Sequence, residues 1–230
     1  MQARNIDRLD FVYVIGDAYV DHPSFGAAVV GRILEAEGLR IAIVPQPNWR
    51  DDLRDFKKLG RPRLFFGISA GCMDSMVNKY TANKRLRSDD AYTPDARPDM
   101  RPEYPSIVYT QVLKKLYPDI PVVLGGIEAS MRRLTHYDYW QDKVRKSILV
   151  DSGADLLIYG MGEKPLVELA KRMQQQADTG LPLQYDISQI AYLCKTAEFV
   201  PEEGDIRLYS HEECLKDKKK QAANFRHIEE

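Results

Sequence analysis

Short apolar runs alternate with longer amphipathic stretches along the chain. FVYVIGD at 11–17, RIAIVPQ at 40–46, RLFFGIS at 63–69, VVLGG at 122–126 and LLIYG at 156–160 are strand-length runs rich in Val, Ile, Leu and Phe. Such runs suit strands covered on both faces, the usual environment of a parallel sheet. Between the first two lies SFGAAVVGRILEAEG, a helix pattern with Ser24 placed as N-cap and Gly38 just past the C-terminus. Its small residues Gly26, Ala27, Ala28 and Gly31 allow close approach to a sheet. Strand, helix and strand within about 35 residues make a βαβ unit with a right-handed crossover. WRDDLRDFKKLG, a helical stretch around IVYTQVLKKLYP, and EKPLVELAKRMQQQ with Pro165 in its first turn continue the pattern. The expected fold is α/β, a doubly wound, mostly parallel open sheet of Rossmann-like class with a small C-terminal appendage.

Two regions depart from that plan. KRLRSDDAYTPDARPDMRPEYP, residues 84–105, has four prolines, many charges and no apolar period, and reads as a long surface excursion. After residue 178 the pattern changes to IAYLCKTAEFV and DIRLYS, two expected strands, and then to a helix from about Ser210 with no stop signal near Glu230. The expected organisation is an α/β domain over 1–178, then 179–230 as a β-rich linker and an unfinished helix. Such an end would fit a truncated protein or a split gene.

Lysine plus arginine number 33 against 34 acidic residues. That balance gives no global attraction for nucleic acid or an anionic membrane, so any polyanion site would have to be a local patch. No apolar run approaches the roughly 20 residues of a membrane span, and MQARNIDRLD has no signal-peptide core, so a cytoplasmic location is expected. Cys72, Cys194 and Cys214 are widely separated. That argues against a disulfide framework and against a metal or iron–sulfur site held by this chain alone.

In an open α/β sheet, ligands bind beyond the carboxyl ends of the strands. Four loops are therefore candidates. GDAYVDHPSFG places Asp17, His22, Ser24 and Gly26 before a helix whose free N–H groups favour an anion, although Asp17 and Ser24 could equally serve the turn and cap. It is not a GxGxxG nicotinamide fingerprint. SAGCMDSMVNKYTANKRLR offers Ser69 and Gly71 for close backbone approach, then Asp74, Asn78, Tyr80 and Asn83 before the basic residues Lys84, Arg85 and Arg87, which could meet an anion or a partner chain. Its packing alternative is the stripe Met73, Met76, Val77 and Tyr80. GGIEASMRRLTHYDYW supplies Gly125 and Gly126 for a turn, Glu128 near a helix N-terminus, Arg132 and Arg133 for bidentate contacts, and His136, Tyr137, Tyr139 and Trp140 for stacking. The packing alternative there makes Tyr137 and Trp140, three apart, core anchors. YGMGE adds Gly160, Gly162 and Glu163, which structural turns alone would also explain. No residue is singled out as catalytic or as a metal ligand.

Taken together, GDAYVDHPSFG, GRPRLFFGISAGCMDSMVNKYTANKRLRSDDAYTP, GGIEASMRRLTHYDYWQDKVRKSIL, DLLIYGMGE and LKDKKKQAANFRHIEE resemble the N-terminal domain of the YgiQ-type radical SAM protein family over essentially the whole chain. The resemblance implies a cobalamin-binding-like α/β domain followed, in the family, by a radical SAM barrel. In that barrel a CxxxCxxC motif holds a [4Fe-4S] cluster that cleaves S-adenosylmethionine. This chain has no CxxxCxxC. The implied function is therefore an accessory domain that contributes substrate or cofactor contacts to a catalytic domain lying elsewhere, in cis or as a split partner, and catalysis by this chain alone is not expected. The cobalt-ligating DxHxxG pattern is not met, since Asp21 adjoins His22 and Gly26 follows four residues later; cobalamin without that ligand stays open. The rival reading is a non-catalytic stand-alone module that binds a partner chain or a small anionic ligand.

Overall fold

A computed structural model describes residues 7–195 and 199–229. The apolar runs form β1 (Phe11–Ile15), β2 (Ile41–Pro45), β3 (Phe65–Ser69), β4 (Val122–Gly125) and β7 (Leu156–Ile158), and β8 (Ile190–Tyr192) completes a six-stranded sheet in the order β2-β1-β3-β4-β7-β8. All pairings are parallel except β7 with β8. A separate hairpin joins β5 (His136–Asp138) to β6 (Lys143–Arg145).

Alternate residues of β1 point to opposite faces, and each face has its own core. On one, Val12, Val14, Phe66, Ile68, Val122 and Leu124 pack under α2 (Arg54–Lys57), α4 (Pro105–Leu116) and α6 (Ile148–Ser152) through Phe56, Tyr109, Leu113 and Leu149. On the other, Phe11, Tyr13, Ile15, Phe65, Val123 and Ile158 meet α1 (Gly26–Ala36) and α7 (Glu163–Thr179) through Leu34, Leu166, Leu169 and Met173. The remaining helices are α3 (Ser75–Lys79), α5 (Gly126–Met131), α8 (His211–Lys216) and α9 (Lys218–Glu229).

Gly38 ends α1 with φ of 81°, and the paired bonds Leu39 N–H to Leu34 O and Gly38 N–H to Glu35 O satisfy its last carbonyls. The N-cap of α1 is Phe25, without a side-chain cap bond, and not Ser24. Ser24 N–H instead donates to His22 Nδ1, and the Phe25 ring packs edge-on against Tyr92.

The excursion at 84–105 is not merely a surface loop. Its Asp90, Thr93 and Arg101 are buried. The predicted strand at 190–200 forms only over 190–192, residues 196–198 being outside those described, and DIRLYS forms no strand. There the Asn224 side chain serves the Tyr209 backbone, accepting from its N–H and donating to its carbonyl, in place of a ladder. Ser210 opens α8 with a capping box to Glu213. Among the described residues, no helix is long and apolar enough to cross a membrane.

Candidate functional site

On the second face, α1 lies over β1 and β2 while α7 lies over β4 and β7. Strand order reverses between β1 and β3, the position at which doubly wound sheets hold ligands. The two helices are tied away from the strand ends by the Lys171–Glu37 ion pair at 2.8 Å. Between their N-terminal halves a cavity of about 400 Å³ opens at the carboxyl ends of the strands and runs down the sheet face.

Small residues make that space. Tyr13, Gly67 and Val123 lie on one rung, and Ile15, Ser69 and Gly125 on the next. Gly67 has no room for a side chain, because a Cβ there would lie 2.6 Å from the Phe11 ring. The floor is thus aromatic, formed by Phe11, Tyr13 and Phe65, and the walls come from Ala27, Val30, Ile158 and Leu166. At the mouth, Gly71 and Gly126 adopt φ of 125° and 82°, with Asp17 and Ser69 packed where side chains would go. Neither α1 nor α7 has a side-chain cap bond, and the first residues of both helices, Gly26 and Ala27 and Glu163, line this opening. Val20, Ile127 and Met161 stand at the rim as exposed apolar side chains.

Among the loop residues expected to contact a ligand, Asp17, Ser24, Gly26, Ser69, Gly71, Gly125, Gly126, Gly160, Gly162 and Glu163 all line the cavity, whereas His22 does not. Ala18, Ile127 and Met161 of the same candidate loops line it too, as do Tyr13 and Gly67, which the sequence pattern gave no reason to separate from ordinary strand residues. Cys72 also lines it. Burial and the nearby Asp17 carboxylate push its thiol up to about 11, which keeps it protonated and unreactive near neutral pH. Burial likewise raises the Tyr13 phenol to about 12.

Asp17 forms one wall of the cavity and is held from behind. Its Oδ1 accepts from Arg101 Nη1 at 2.5 Å and its Oδ2 from the Cys72 N–H at 2.7 Å. Arg101 also donates to both Asp90 oxygens, at 3.1 and 2.8 Å, and to the Ala70 carbonyl. Burial raises the Asp17 carboxyl above its ordinary value, against the pull of Arg101. The excursion therefore braces the first loop, reinforced by Ala18 N–H to Tyr92 O and by Gln46 Nε2, which donates to both Gly16 O and Thr93 Oγ1.

The interface candidates form a different assembly. Glu128 is fully buried, and its two oxygens accept from Ser75 N–H and Ser106 N–H, both at 3.1 Å, so one carboxylate serves the N-termini of α3 and α4. Asp74 caps α3 through the Met76 and Val77 N–H groups and pairs with buried Arg132. Arg132 and Arg145 both sit 5.3 Å from the Tyr104 ring centre, and Tyr104 donates to buried Asp138 at 2.6 Å. Asp74, Glu128 and Arg132 are thus structural. Arg133 donates to Ser130 O and covers the Tyr159 ring, and His136, partly buried with its ring shifted toward the neutral form by burial, contacts Leu134 O.

The expected apolar stripe through Met73, Met76, Val77 and Tyr80 does not form. α3 spans only five residues, Val77 is exposed and Asn78 is buried. Tyr137 and Trp140 are not anchors of a helix either: Tyr137 lies on β5, and Trp140 follows in the turn of the hairpin. There Tyr139 and Trp140 meet the turn holding Tyr80 and Asn83, while Tyr137 bonds Asp142.

Among the described residues, no group of three or more His, Cys, Asp or Glu is arranged to hold a metal ion. Cys72 and Cys194 are exposed and Cys214 is buried. The chain's thiols therefore do not fit an iron–sulfur cluster. For a corrinoid the fit is of another kind: the cavity is apolar and deep, while His22, exposed and engaged by Ser24 N–H, is not placed to ligate from within it.

Comparison with known proteins places the chain among larger ones. The family model described as Radical SAM N-terminal matches residues 1–230. A UPF0313 protein of Bacteroides thetaiotaomicron is 72% identical, over 100% of this chain and 38% of its own length. UPF0313 protein YgiQ of Escherichia coli is 59% identical, over 73% of this chain and 22% of its own. The chain thus spans less than two fifths of these relatives. Among solved structures, the radical S-adenosylmethionine methyltransferase TsrM from Kitasatospora setae, with tryptophan substrate and a SAM analog bound, shares 18% identity over 80% of this chain and 28% of that one, with a TM-score of 0.49.

Proposed function

Because the chain belongs to the Radical SAM N-terminal family, we propose that it is the ligand-binding accessory domain of a longer radical SAM protein. In this reading it holds a small molecule at the carboxyl end of its sheet and presents it to a catalytic domain supplied by the rest of the protein. The [4Fe-4S] cluster and S-adenosylmethionine belong to that other part.

The cavity of about 400 Å³ between α1, α7 and the sheet carries this reading. It suits a ligand with a flat apolar portion that inserts against Phe11, Tyr13 and Phe65, and a polar or anionic portion near the N-termini of α1 and α7. A corrinoid, whose nucleotide tail has both features, is the first ligand to test, and bound there it would supply methyl-transfer chemistry. In this chain Gly71, Gly125, Gly126 and Gly160 would let the ligand approach the backbone, and Asp17 would be held in orientation by Arg101. The exposed rim of Val20, Ile127 and Met161 fits the docking of a catalytic domain over the mouth.

The test is a titration of the purified protein with hydroxocobalamin, followed by visible absorption and calorimetry, beside the variant Ala27→Trp, which fills the cavity from α1. Saturable micromolar binding that the variant loses while keeping its melting temperature supports the proposal. Absence of binding to the folded protein, or equal binding by the variant, removes the corrinoid reading and leaves a docking or substrate module.

A further inference from the structure

A second surface, none of whose residues lines the cavity, is built from two neighbouring hairpins. One is the turn closed by the Tyr80–Leu86 bridge, with Thr81 N–H to Arg85 O and Lys84 N–H to Thr81 O inside it. The other is β5–β6. They are joined by Tyr139 Oη donating to Ala82 O at 2.8 Å, by Lys84 Nζ donating to Trp140 O at 3.2 Å, and by the Tyr80 and Trp140 rings at 5.4 Å.

The rings are exposed but fixed. Tyr137 is 53% and Tyr139 50% exposed, yet the Tyr137 hydroxyl is tied to Asp142, the Tyr139 hydroxyl to Ala82, and the Tyr139 ring meets Trp140 edge-on at 5.3 Å. Aromatic faces held open to solvent in this way lose little conformational freedom when a planar group stacks on them.

The cations beside them are held differently from most arginines of this molecule. Arginines elsewhere are typically tied to carboxylates, as in Arg40–Asp10, Arg63–Asp178, Arg101–Asp90, Arg132–Asp74 and Arg172–Glu168. Here Lys84 and Arg87 reach only backbone carbonyls or a ring, and Arg85 and Lys143 have no carboxylate partner among the described residues. The nearby acids are mostly engaged: Asp142 by Tyr137, Glu103 by Tyr80, Asp138 by Tyr104, Asp99 by Lys79 and Asp90 by Arg101. A recess of about 310 Å³ opens alongside, lined by Tyr80, Leu86 and Arg87 together with Asp89, Asp90 and Asp99. Lys84, Arg85, Arg87 and Lys143 thus stand beside the exposed tyrosines without a carboxylate partner among the described residues.

We propose that this surface binds a single-stranded nucleic acid, with phosphates at Arg85, Arg87 and Lys143 and bases stacked on Tyr137 and Tyr139. Fixed aromatic faces interleaved with unpaired cations are the combination by which single strands are held, the cations following the backbone and the rings accepting any base. An acidic peptide would use the cations but not the rings.

The test is fluorescence anisotropy of the purified protein with a labelled oligouridylate of about twelve nucleotides, and with the matching DNA, between about 50 and 200 mM KCl. Saturable binding of either strand is expected, with a log–log salt slope of about −2 to −3 for three to four phosphates. Arg85→Glu with Lys143→Glu should weaken it more than about thirtyfold, and Tyr137→Ala about tenfold. All three positions are exposed, so melting temperatures should stay at the parent value. The proposal is overturned by no saturable binding at the lowest salt, by unchanged affinity in the charge-reversed protein, by indifference to Tyr137→Ala, or by heparin or duplex competing as well as the single strand.

Discussion

β1 is flanked by an aspartate at each end, and the molecule uses the two in opposite ways. Asp10, at the amino end, accepts from Arg40 at 2.8 and 2.9 Å and from Arg63 at 2.7 Å, so one carboxylate ties together the starts of β1, β2 and β3. Burial opposes its ionisation, but the two guanidinium groups outweigh that and hold its carboxyl far below the usual range. Asp17, at the carboxyl end, shares a single arginine with Asp90, and burial leaves its carboxyl raised. One end is closed by ion pairs. The other is kept open by glycines and a brace that must be supplied from the 84–105 excursion, and this is the end at which a ligand can enter.

The brace is where that contrast breaks most readily. Arg101→Met leaves Asp17 and Asp90 buried without a cation, and the expected loss is about 3–5 kcal/mol in urea unfolding, with the excursion released first. A loss under about 1 kcal/mol would mean that Arg101 is incidental.

The two aspartates should next separate by the sign of their pH dependence. The folded-state value of Asp10 is depressed, so its contribution is present above the unfolded value near about 4 and lost as pH falls through the folded value. Asp17 is raised, so its contribution is present below about 4 and lost as pH rises through its folded value. Asp10→Asn should cost about 2 kcal/mol at neutral pH, with its deficit against the parent shrinking in acid. Asp17→Asn should compare progressively better with the parent as pH rises. Urea midpoints of the three proteins from about pH 3 to 7 give the slopes, and slopes of the same sign would remove the contrast.

The smallest effect belongs to Arg61→Ala, also at the amino end. Arg61 meets Asp119 with both side chains about half exposed, so the expected change is under about 1 kcal/mol. A larger change would show that surface pairs, and not Asp10 alone, close this end.

The sheet was legible because its inner strands β1, β3, β4 and β7 are buried on both faces and read as continuous apolar runs, and the glycine turns after β4 and β7 followed from the same pattern. What the pattern hid was pairing at a distance. Arg101 meets Asp17 across 84 residues of chain, and a proline-rich charged stretch gives no sign that one of its arginines is a core residue. The β5–β6 hairpin was hidden for a related reason. Its polar side chains alternate without an apolar face, since its buried member is Asp138, held by Tyr104 from another element. Glu128 and Arg132 have residue types that suggest ligand contacts, and only the partners Ser75, Ser106 and Asp74 show that they hold helices together. The cavity lining was easier to anticipate, because strand ends and glycine turns locate it whatever the distant contacts are.

The most direct test of the open-end account is amide hydrogen exchange with and without saturating hydroxocobalamin. Slowed exchange is expected at residues 69–72, 125–131 and 159–163, and no change at 8–11, 39–41 and 61–64. Protection confined to the amino end, or none anywhere, would contradict it.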